Sequence, residues 1–209
     1  MDVPGDAELV ARLRDRDEAA FVFVLEAWSP GMQRLARSFV STPDSAAECV
    51  QDTWLAVIEG IDRFEGRAAL RTWVYRILVN TAKRRGVREG RSVPWSSVAD
   101  ETGPTVDPAR FRGPGEPFAG HWREFPARWP EPENATLAAE LRQVVAEAIA
   151  ELPERQRVVL TLRDIHGYDG AEVSSILEIS PGYQRVLLHR ARVHVRARID
   201  VYHAKAETG

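Results

Sequence analysis

The stretch from Ser45 to Arg91 restricts the possible fold more than any other part of the chain. Its apolar residues recur every three or four positions, a spacing typical of helices with one buried face. A short irregular loop without strand alternation separates two such sets. They predict two helices, whose core stripes are Ala47, Val50, Trp54, Val57, Ile58 and Ile61, and then Leu70, Trp73, Val74, Ile77 and Leu78.

The first of these helices also has a more polar face. Ser45 is followed three residues later by Glu48, the pattern of a capping box, so we expect the helix to begin at Ser45. Residues at the same helical spacing on this second face are available to water or to a partner. They are Glu48, Gln51, Asp52, Leu55 and Glu59.

The second helix becomes basic toward its end. Only Glu89 opposes the run of Lys83, Arg84, Arg85, Arg88 and Arg91. The net charge of −3 conceals this segregation of basic residues, which is typical of a surface that binds nucleic acid. An acidic helix face beside a basic helix therefore indicates two partners, one basic and one anionic.

Composition limits the class of protein. The 209 residues, 44% hydrophobic and 28% charged, fit one large or two small globular domains. We expect no membrane span, since no apolar run approaches about 20 residues. We expect no signal peptide, since the acidic start MDVPGDAEL lacks a basic region followed by an apolar core. The single cysteine, Cys49, excludes an internal disulfide and fits a reducing cytoplasm, where we expect it to be a buried, inert thiol.

The fold class is predicted to be all-α, with two small helical domains. Residues 1–91 form the first, with Asp6 and Asp17 as helix N-caps and with Pro30 opening a third helix. Residues 134–203 form the second, and residues 204–209 a tail. In the second, Asn134 or Thr136 is the expected first cap.

Residues 92–133 are predicted to be a flexible linker rich in Pro and Gly. Two interpretations of its aromatic residues remain open: they dock on the protein's own domains, or the segment around His121–Phe125 docks on a partner. These aromatic residues are Trp95, Phe111, Phe118, Trp122, Phe125 and Trp129.

The second domain ends in a predicted helix-turn-helix. The motif consists of a short helix over Ala171–Leu177, a three-residue turn and a long helix over Pro181–Ile199. It follows a helix over Glu154–Ile165 and a turn at His166–Gly170. The last helix is basic throughout, which also fits a membrane surface or an acidic protein. The short helix and turn before it favour DNA.

Enzymatic chemistry has little support in the sequence. The five histidines show no metal-ligand spacing with Cys49 or with acidic residues, and no phosphate-binding glycine loop occurs. The paired carboxylates Glu131 and Glu133 lie in the linker. We therefore expect no catalytic residue, no metal and no cofactor.

Six segments resemble the bacterial RNA polymerase sigma factors of the extracytoplasmic-function (ECF) group. AAECVQDTWLAV, RFEGRAALRTWVYRI and VNTAKRR resemble region two, while LPERQRVVLTLRDIHGY, AEVSSILEIS and LHRARVHVR resemble region four. The resemblance implies a transcription initiation factor that binds core RNA polymerase and promoter DNA. It also implies an anti-sigma partner, a cytoplasmic location and a linker directed toward the RNA exit path.

The resemblance also implies site residues in the first domain. The polymerase β′ clamp is expected to bind Glu48, Gln51, Asp52 and Leu55. The Phe64–Leu70 loop is expected to hold a flipped base of the minus-ten element, with Phe64 either stacking on it or anchoring the loop. Trp54 and Trp73 are expected in the core. The residues implied for the minus-ten element are Arg63, Phe64, Arg67, Arg76, Asn80, Lys83 and Arg84.

In the second domain, which is also expected to meet the β flap, the final helix is implied to read the minus-thirty-five element. Its candidates are Tyr183, Arg185, His189 and Arg190. Arg185 and Arg190 are the better base readers, because arginine bonds guanine with two hydrogen bonds. The helix start departs from the family's usual Gly-Thr-Val-Lys-Ser-Arg, since this chain has Gly-Tyr-Gln-Arg-Val-Leu over 182–187.

Two other functions compete with this interpretation. A conventional helix-turn-helix regulator would bind duplex DNA without polymerase and use its first domain for dimerisation or sensing. A protein-interaction adaptor would not need two basic surfaces. Only a polymerase partner gives a role to the face that contains Gln51 and Asp52.

Overall fold

The computed structural model describes residues 5–90 and 135–206, and every regular element in these two ranges is a helix. The all-α prediction is therefore confirmed. The predicted linker and its aromatic residues lie outside the described residues, as do Asn134 and Arg91. The elements are α1 (Asp6–Arg14), α2 (Glu18–Ala36), α3 (Pro43–Gly60) with a 3₁₀ turn (Ile61–Arg63), α4 (Leu70–Arg88), α5 (Ala135–Glu151), α6 (Glu154–Leu160) with a π-helical turn (Thr161–Ile165), α7 (Gly170–Leu177) and α8 (Pro181–Ala206).

The chain divides into two compact units that do not follow sequence order. The first combines Met1–Val98 with Thr161–Arg185, and the second combines Ala99–Leu160 with Val186–Gly209. Helix α7 therefore belongs to the same unit as α1 to α4. The sequence boundaries expected for two consecutive domains remain a prediction.

The core of the first unit forms where α3 packs against α2 and α4. Val50, Trp54 and Val57 of α3 are buried as predicted, whereas Ile58 is 39% exposed. Full burial of one such side chain contributes about 1.5–3 kcal/mol. Cys49 is also fully buried, which raises its pKa to about 11 and fits the expected inert thiol.

Helix α3 begins two residues earlier than predicted. Its N-cap is Thr42, whose hydroxyl oxygen accepts a hydrogen bond from the Ser45 N–H at 3.1 Å. Pro43 occupies the first turn, where its missing N–H has no consequence. The capping box at Ser45 was therefore wrong, and the Glu48 carboxylate pairs instead with Arg85 of α4.

Pro30 does not open a new helix but lies inside α2. The buried side chains of Ala20 and Val24 before it continue as Met32 and Leu35 after it. Burial along both halves offsets the cost of an interior proline, about 3 kcal/mol.

Asp6 caps a different helix from the one predicted. Gly5 is the N-cap of α1, without a side-chain bond, whereas the Asp6 carboxylate accepts a hydrogen bond from the N–H of Leu70 at 2.8 Å. Leu70 is the first residue of α4, whose own N-cap, Ala69, has no side chain that could accept one. Asp17 caps α2 as predicted, through the Ala20 N–H.

The second unit contains α5, α6 and most of α8. Glu151 at the end of α5 accepts a hydrogen bond from Arg198 at 2.8 Å and lies 3.2 Å from His194. Tyr202 donates to Glu140 at 3.0 Å. Because the contacts with α5 continue as far as Tyr202, α8 extends to Ala206 rather than ending at Ile199 as predicted.

We expect Asp6→Ala to lower the free energy of unfolding by about 1 kcal/mol, since the first turn of α4 loses its side-chain acceptor. Urea unfolding followed by circular dichroism measures this loss. Glu8→Ala is the matched control, because Glu8 is an exposed acid of the same helix. Equal effects of the two substitutions would contradict the capping role.

Candidate nucleic-acid interface

Arg14, the last residue of α1, and Arg16 hold the start of the loop between α3 and α4. Arg14 donates to the backbone oxygens of Ile61 at 3.3 Å and Phe64 at 2.5 Å. Arg16 donates to the Ile58 oxygen at 2.7 Å and to the Asp62 carboxylate at 3.2 Å. Four bonds to consecutive turns give the start of this loop a defined position.

A cavity of about 390 Å³ opens beside this loop. Its floor is aromatic: the Phe64 ring is 9% exposed and lies 5.1 Å, centroid to centroid, from that of Trp73. Burial of the Phe64 ring fits the second of its two predicted roles, that of a loop anchor, and its role toward a flipped base stays a prediction. Trp73 is only half-buried and lines the cavity, so its assignment to the core was incomplete. Arg63, Arg67 and Arg76 line its walls together with the Glu65 carboxylate, which pairs with Arg67 at 2.6 Å.

The remaining minus-ten candidates lie outside the cavity lining, farther along α4. Lys83 donates to the Leu177 backbone oxygen at 3.0 Å. Arg84 is exposed and donates to the Asn80 backbone oxygen of its own helix at 3.2 Å. The structure thus places Arg63, Phe64, Arg67 and Arg76 at one cavity and the other three along one helix.

The polar face of α3 is exposed along its length. Glu48, Gln51, Asp52 and Leu55 all face solvent, and Leu55 is 60% exposed. Arg85 pairs with Glu48 and lies 3.9 Å from Asp52. The face therefore combines carboxylates held by one arginine with an apolar side chain that the core does not use.

The four minus-thirty-five candidates follow one helix, α8. Ser180 directly precedes this helix, and the hydroxyl oxygen of Ser180 accepts a hydrogen bond from the Tyr183 N–H at 3.2 Å. Arg185 is exposed, whereas Tyr183, His189 and Arg190 are half-buried. Burial, together with the nearby Arg190 and Arg192, lowers the pKa of His189. The helix thus carries Arg185 and Arg190 with an imidazole of lowered pKa between them.

The predicted turn before α8 is confirmed, and α7 has a cap that sequence reasoning missed. Asp169 accepts from the Glu172 N–H at 2.8 Å, and Glu172 accepts from the Asp169 N–H at 2.8 Å. The Asp-x-x-Glu spacing was the signal for it. Glu178 ends α7 in the left-handed region, at φ +58°.

His166 was predicted only as part of a turn, but it belongs to a packed aromatic cluster of the first unit. Its ring lies 5.4 Å from the Tyr75 ring and 6.5 Å from that of Tyr168. A Cβ added to Gly31 would lie 2.8 Å from both His166 and Tyr75. Burial, followed by the positive charges of Arg71 and Arg34, lowers the pKa of His166 to about 4.

A helix-turn-helix and an arginine-lined cavity, in described ranges whose regular elements are all helices, are typical of a DNA-binding transcription factor. Residues 24–92 match the family described as Sigma-70 region 2, and residues 142–195 match Sigma-70, region 4. The chain is 32% identical to the "ECF RNA polymerase sigma-E factor" of Escherichia coli strain K12 over 187 residues, 90% of each chain. It is 29% identical to that of Haemophilus influenzae, covering 93% of this chain and 95% of the relative.

Two solved structures share this fold. CnrH, in complex with the cytosolic domain of CnrY, has a TM-score of 0.58 at 20% identity and covers 94% of this chain and 97% of its own. The sigma factor RpoE of Bartonella quintana, in complex with the anti-sigma factor NepR, has a TM-score of 0.56 at 22% identity, with coverages of 87% and 97%.

The chain belongs to the ECF group of the sigma-70 family, and it directs RNA polymerase to promoters. A regulator that binds DNA without polymerase is not favoured, because a match to region two accompanies the helix-turn-helix. In the described ranges, no helix is long and apolar enough to cross a bilayer. The same ranges contain no group of three His, Cys, Asp or Glu that could hold a metal ion.

We expect the stability of the first unit to fall as pH decreases from about 6.5 toward 4. In that window the unfolded imidazole of His166 binds a proton, while the packed imidazole stays neutral. The variant His166→Gln has no titrating group at this position, so only the wild type loses this contribution on acidification. The difference in unfolding free energy between wild type and variant should therefore shrink as the pH falls. Urea unfolding at pH 7.5, 6 and 5 measures it, and parallel pH profiles would contradict the assignment.

Proposed function

We propose that three surfaces of this sigma factor divide the work of initiation. The exposed face of α3 binds core polymerase, the cavity beside α4 captures the minus-ten element, and α8 binds the minus-thirty-five element. None of these surfaces performs covalent chemistry, so the chain needs no catalytic residue. Weak modules joined by a linker gain affinity from effective concentration once polymerase fixes their spacing.

The polymerase surface is supported by the exposure of Leu55 between carboxylates. An exposed apolar side chain surrounded by charges fits the centre of a small interface with a polar rim. The carboxylates of Glu48 and Asp52 complement a basic partner, and the coiled-coil clamp of the β′ subunit is our candidate. Arg85 restrains both carboxylates in the free protein.

The minus-ten surface is supported by the composition of the cavity. Extruding a base costs a few kcal/mol, and stacking on an aromatic ring returns about 1–3 kcal/mol per base. Trp73 is the half-buried ring that can supply this stacking, since Phe64 is only 9% exposed. Arg63, Arg67 and Arg76 are placed to neutralise the phosphates on either side. Asn80, Lys83 and Arg84 extend the basic surface along α4.

The minus-thirty-five surface is supported by the arrangement of α8 after a tight turn. The start of a recognition helix enters the major groove, where arginine bonds guanine with two hydrogen bonds. Arg185 and Arg190 are our candidate base readers, with Tyr183 and His189 beside them.

We further propose an anti-sigma partner, a contact of the second domain with the β flap, and a cytoplasmic site of action. The two structural relatives are described in complex with CnrY and with the anti-sigma factor NepR, which supports the first proposal. The β flap contact and the cytoplasmic site of action follow from the proposed function, because a sigma factor acts where it can reach RNA polymerase.

We expect Asp52→Lys to abolish binding to core RNA polymerase without unfolding the protein, because Asp52 is exposed and does not belong to the core. Titration of labelled protein with core enzyme, in the absence of DNA, measures the affinity. Glu8→Lys makes the same charge change on α1 and should bind as wild type does. Undiminished affinity of the folded Asp52→Lys variant would exclude this face as the polymerase site.

We expect Arg185→Ala to weaken promoter binding by the holoenzyme by about 1–3 kcal/mol if Arg185 reads a base. Competition between cognate and scrambled minus-thirty-five duplexes separates base reading from phosphate binding. An equal loss on both duplexes would make Arg185 a phosphate contact instead.

A further inference from the structure

Two residues near the start of α8 replace polar residues of the family's usual sequence with apolar ones. Val186 stands where serine is usual, and Leu187 stands where arginine is usual. Leu187 is fully buried, so packing accounts for it, as it does for the neighbouring Leu188 and for Ala191 one turn later. Val186, in contrast, is 45% exposed within the described part of the chain, so burial in the core does not account for this valine.

The preference of valine for helices does not account for Val186 either. Valine and serine have nearly the same helix propensity, and the branched side chain of valine loses rotamer freedom in a helix. A valine at this exposed position therefore does not make α8 more stable than the usual serine would. Its two methyl groups become favourable only when a partner removes them from water.

Helical spacing places Val186 among the candidate base readers of α8. His189 and Arg190 follow it by three and four residues, so the three residues share one face of the helix. Arg185 directly precedes Val186 and is also exposed. The first turns of a recognition helix enter the major groove, and Val186 is the sixth residue of α8. Its side chain is therefore placed where base edges are read.

The partner that fits an apolar side chain in the major groove is thymine. Thymine presents its C5-methyl group there, whereas adenine, guanine and cytosine present hydrogen-bond donors and acceptors. Valine can neither donate nor accept a hydrogen bond, so beside those three bases it would displace water without replacing the lost bonds. Beside thymine it exchanges contact with water for contact between methyl groups.

We propose that Val186 reads a thymine methyl group of the minus-thirty-five element, which makes it a specificity residue beside the arginines that read guanine. This inference rests on the proposed role of α8 in minus-thirty-five binding. Four residues of a helix rise about 6 Å, and successive base pairs rise about 3.4 Å. The thymine should therefore lie within about two base pairs of the guanine that Arg190 reads.

The test begins by identifying the element itself. Holoenzyme assembled from core polymerase and the wild-type chain selects its preferred promoters from a pool of random-sequence duplex DNA. Each thymine of the selected minus-thirty-five element is then replaced by uracil, which removes the methyl group and keeps every hydrogen-bonding group. We expect one of these replacements to weaken holoenzyme binding by about two- to fivefold, the effect of uncovering one methyl group.

Two matched variants identify the side chain that contacts the methyl group. Val186→Ser restores the family's usual residue at an exposed position, so the variant should fold as wild type does. Val201→Ser makes the same change at an exposed valine near the other end of α8. Thymine and uracil should bind equally well to holoenzyme with Val186→Ser, whereas Val201→Ser should keep the wild-type preference. The changes in protein and DNA together form a double-mutant cycle.

A thymine preference that Val186→Ser leaves unchanged would overturn the proposal, and so would a selected element in which no uracil replacement weakens binding. Arginine variants separate this failure from failure of the proposed minus-thirty-five site. If Arg185→Ala or Arg190→Ala weakens binding to the selected promoter while the uracil effect is independent of Val186, α8 reads the element without a contribution from this valine. If neither arginine variant weakens binding, α8 is not the reading helix, and the role of Val186 is excluded with it.

Discussion

Burial of α4 is the constraint on which the first unit depends. Leu70, Val74, Tyr75, Leu78 and Val79 are all inaccessible to water. At 100° per residue they cover about half of the helix circumference. Thr72, Arg76, Asn80, Lys83 and Arg84 lie on the opposite half of the helix, where they form the basic ridge of α4.

Arg85 shows how the two proposed interfaces of the first unit stay distinct. It lies on the α3 side of α4 and not on the basic ridge, and its side chain is only 24% exposed. There it pairs with Glu48, lies near Asp52 and is 3.6 Å from Glu89. One arginine of the basic run is thus paired with the acidic face of α3 and not with the ridge.

Many features that depend on neighbouring residues could be predicted from the sequence, although the local caps at Thr42 and Asp169 were missed. Features that depend on distant residues could not be predicted. The stripes of α3 and α4 and the cap at Asp17 follow from local spacing. Asp6 serves a helix 64 residues away, and the ridge of α4 meets α7 about 100 residues later, so no local pattern reveals either contact. Pro30 was wrongly predicted to open a helix, because the preference of proline for the first helical turn takes no account of the buried side chains before and after it. At the site, the residue types were predictable, whereas the division between cavity and ridge required the fold.

The first unit is assembled from two stretches of chain that the ribosome makes at different times. Thr72 and Glu172 are separated by 100 residues. At the usual rate of about 5–20 residues per second, α7 is synthesised roughly 5–20 seconds after α4. During that interval Thr72, Arg76 and Lys83 of α4 lack the contacts that α7 later makes with them. The order of synthesis therefore exposes this surface to anions before its own chain can shield it.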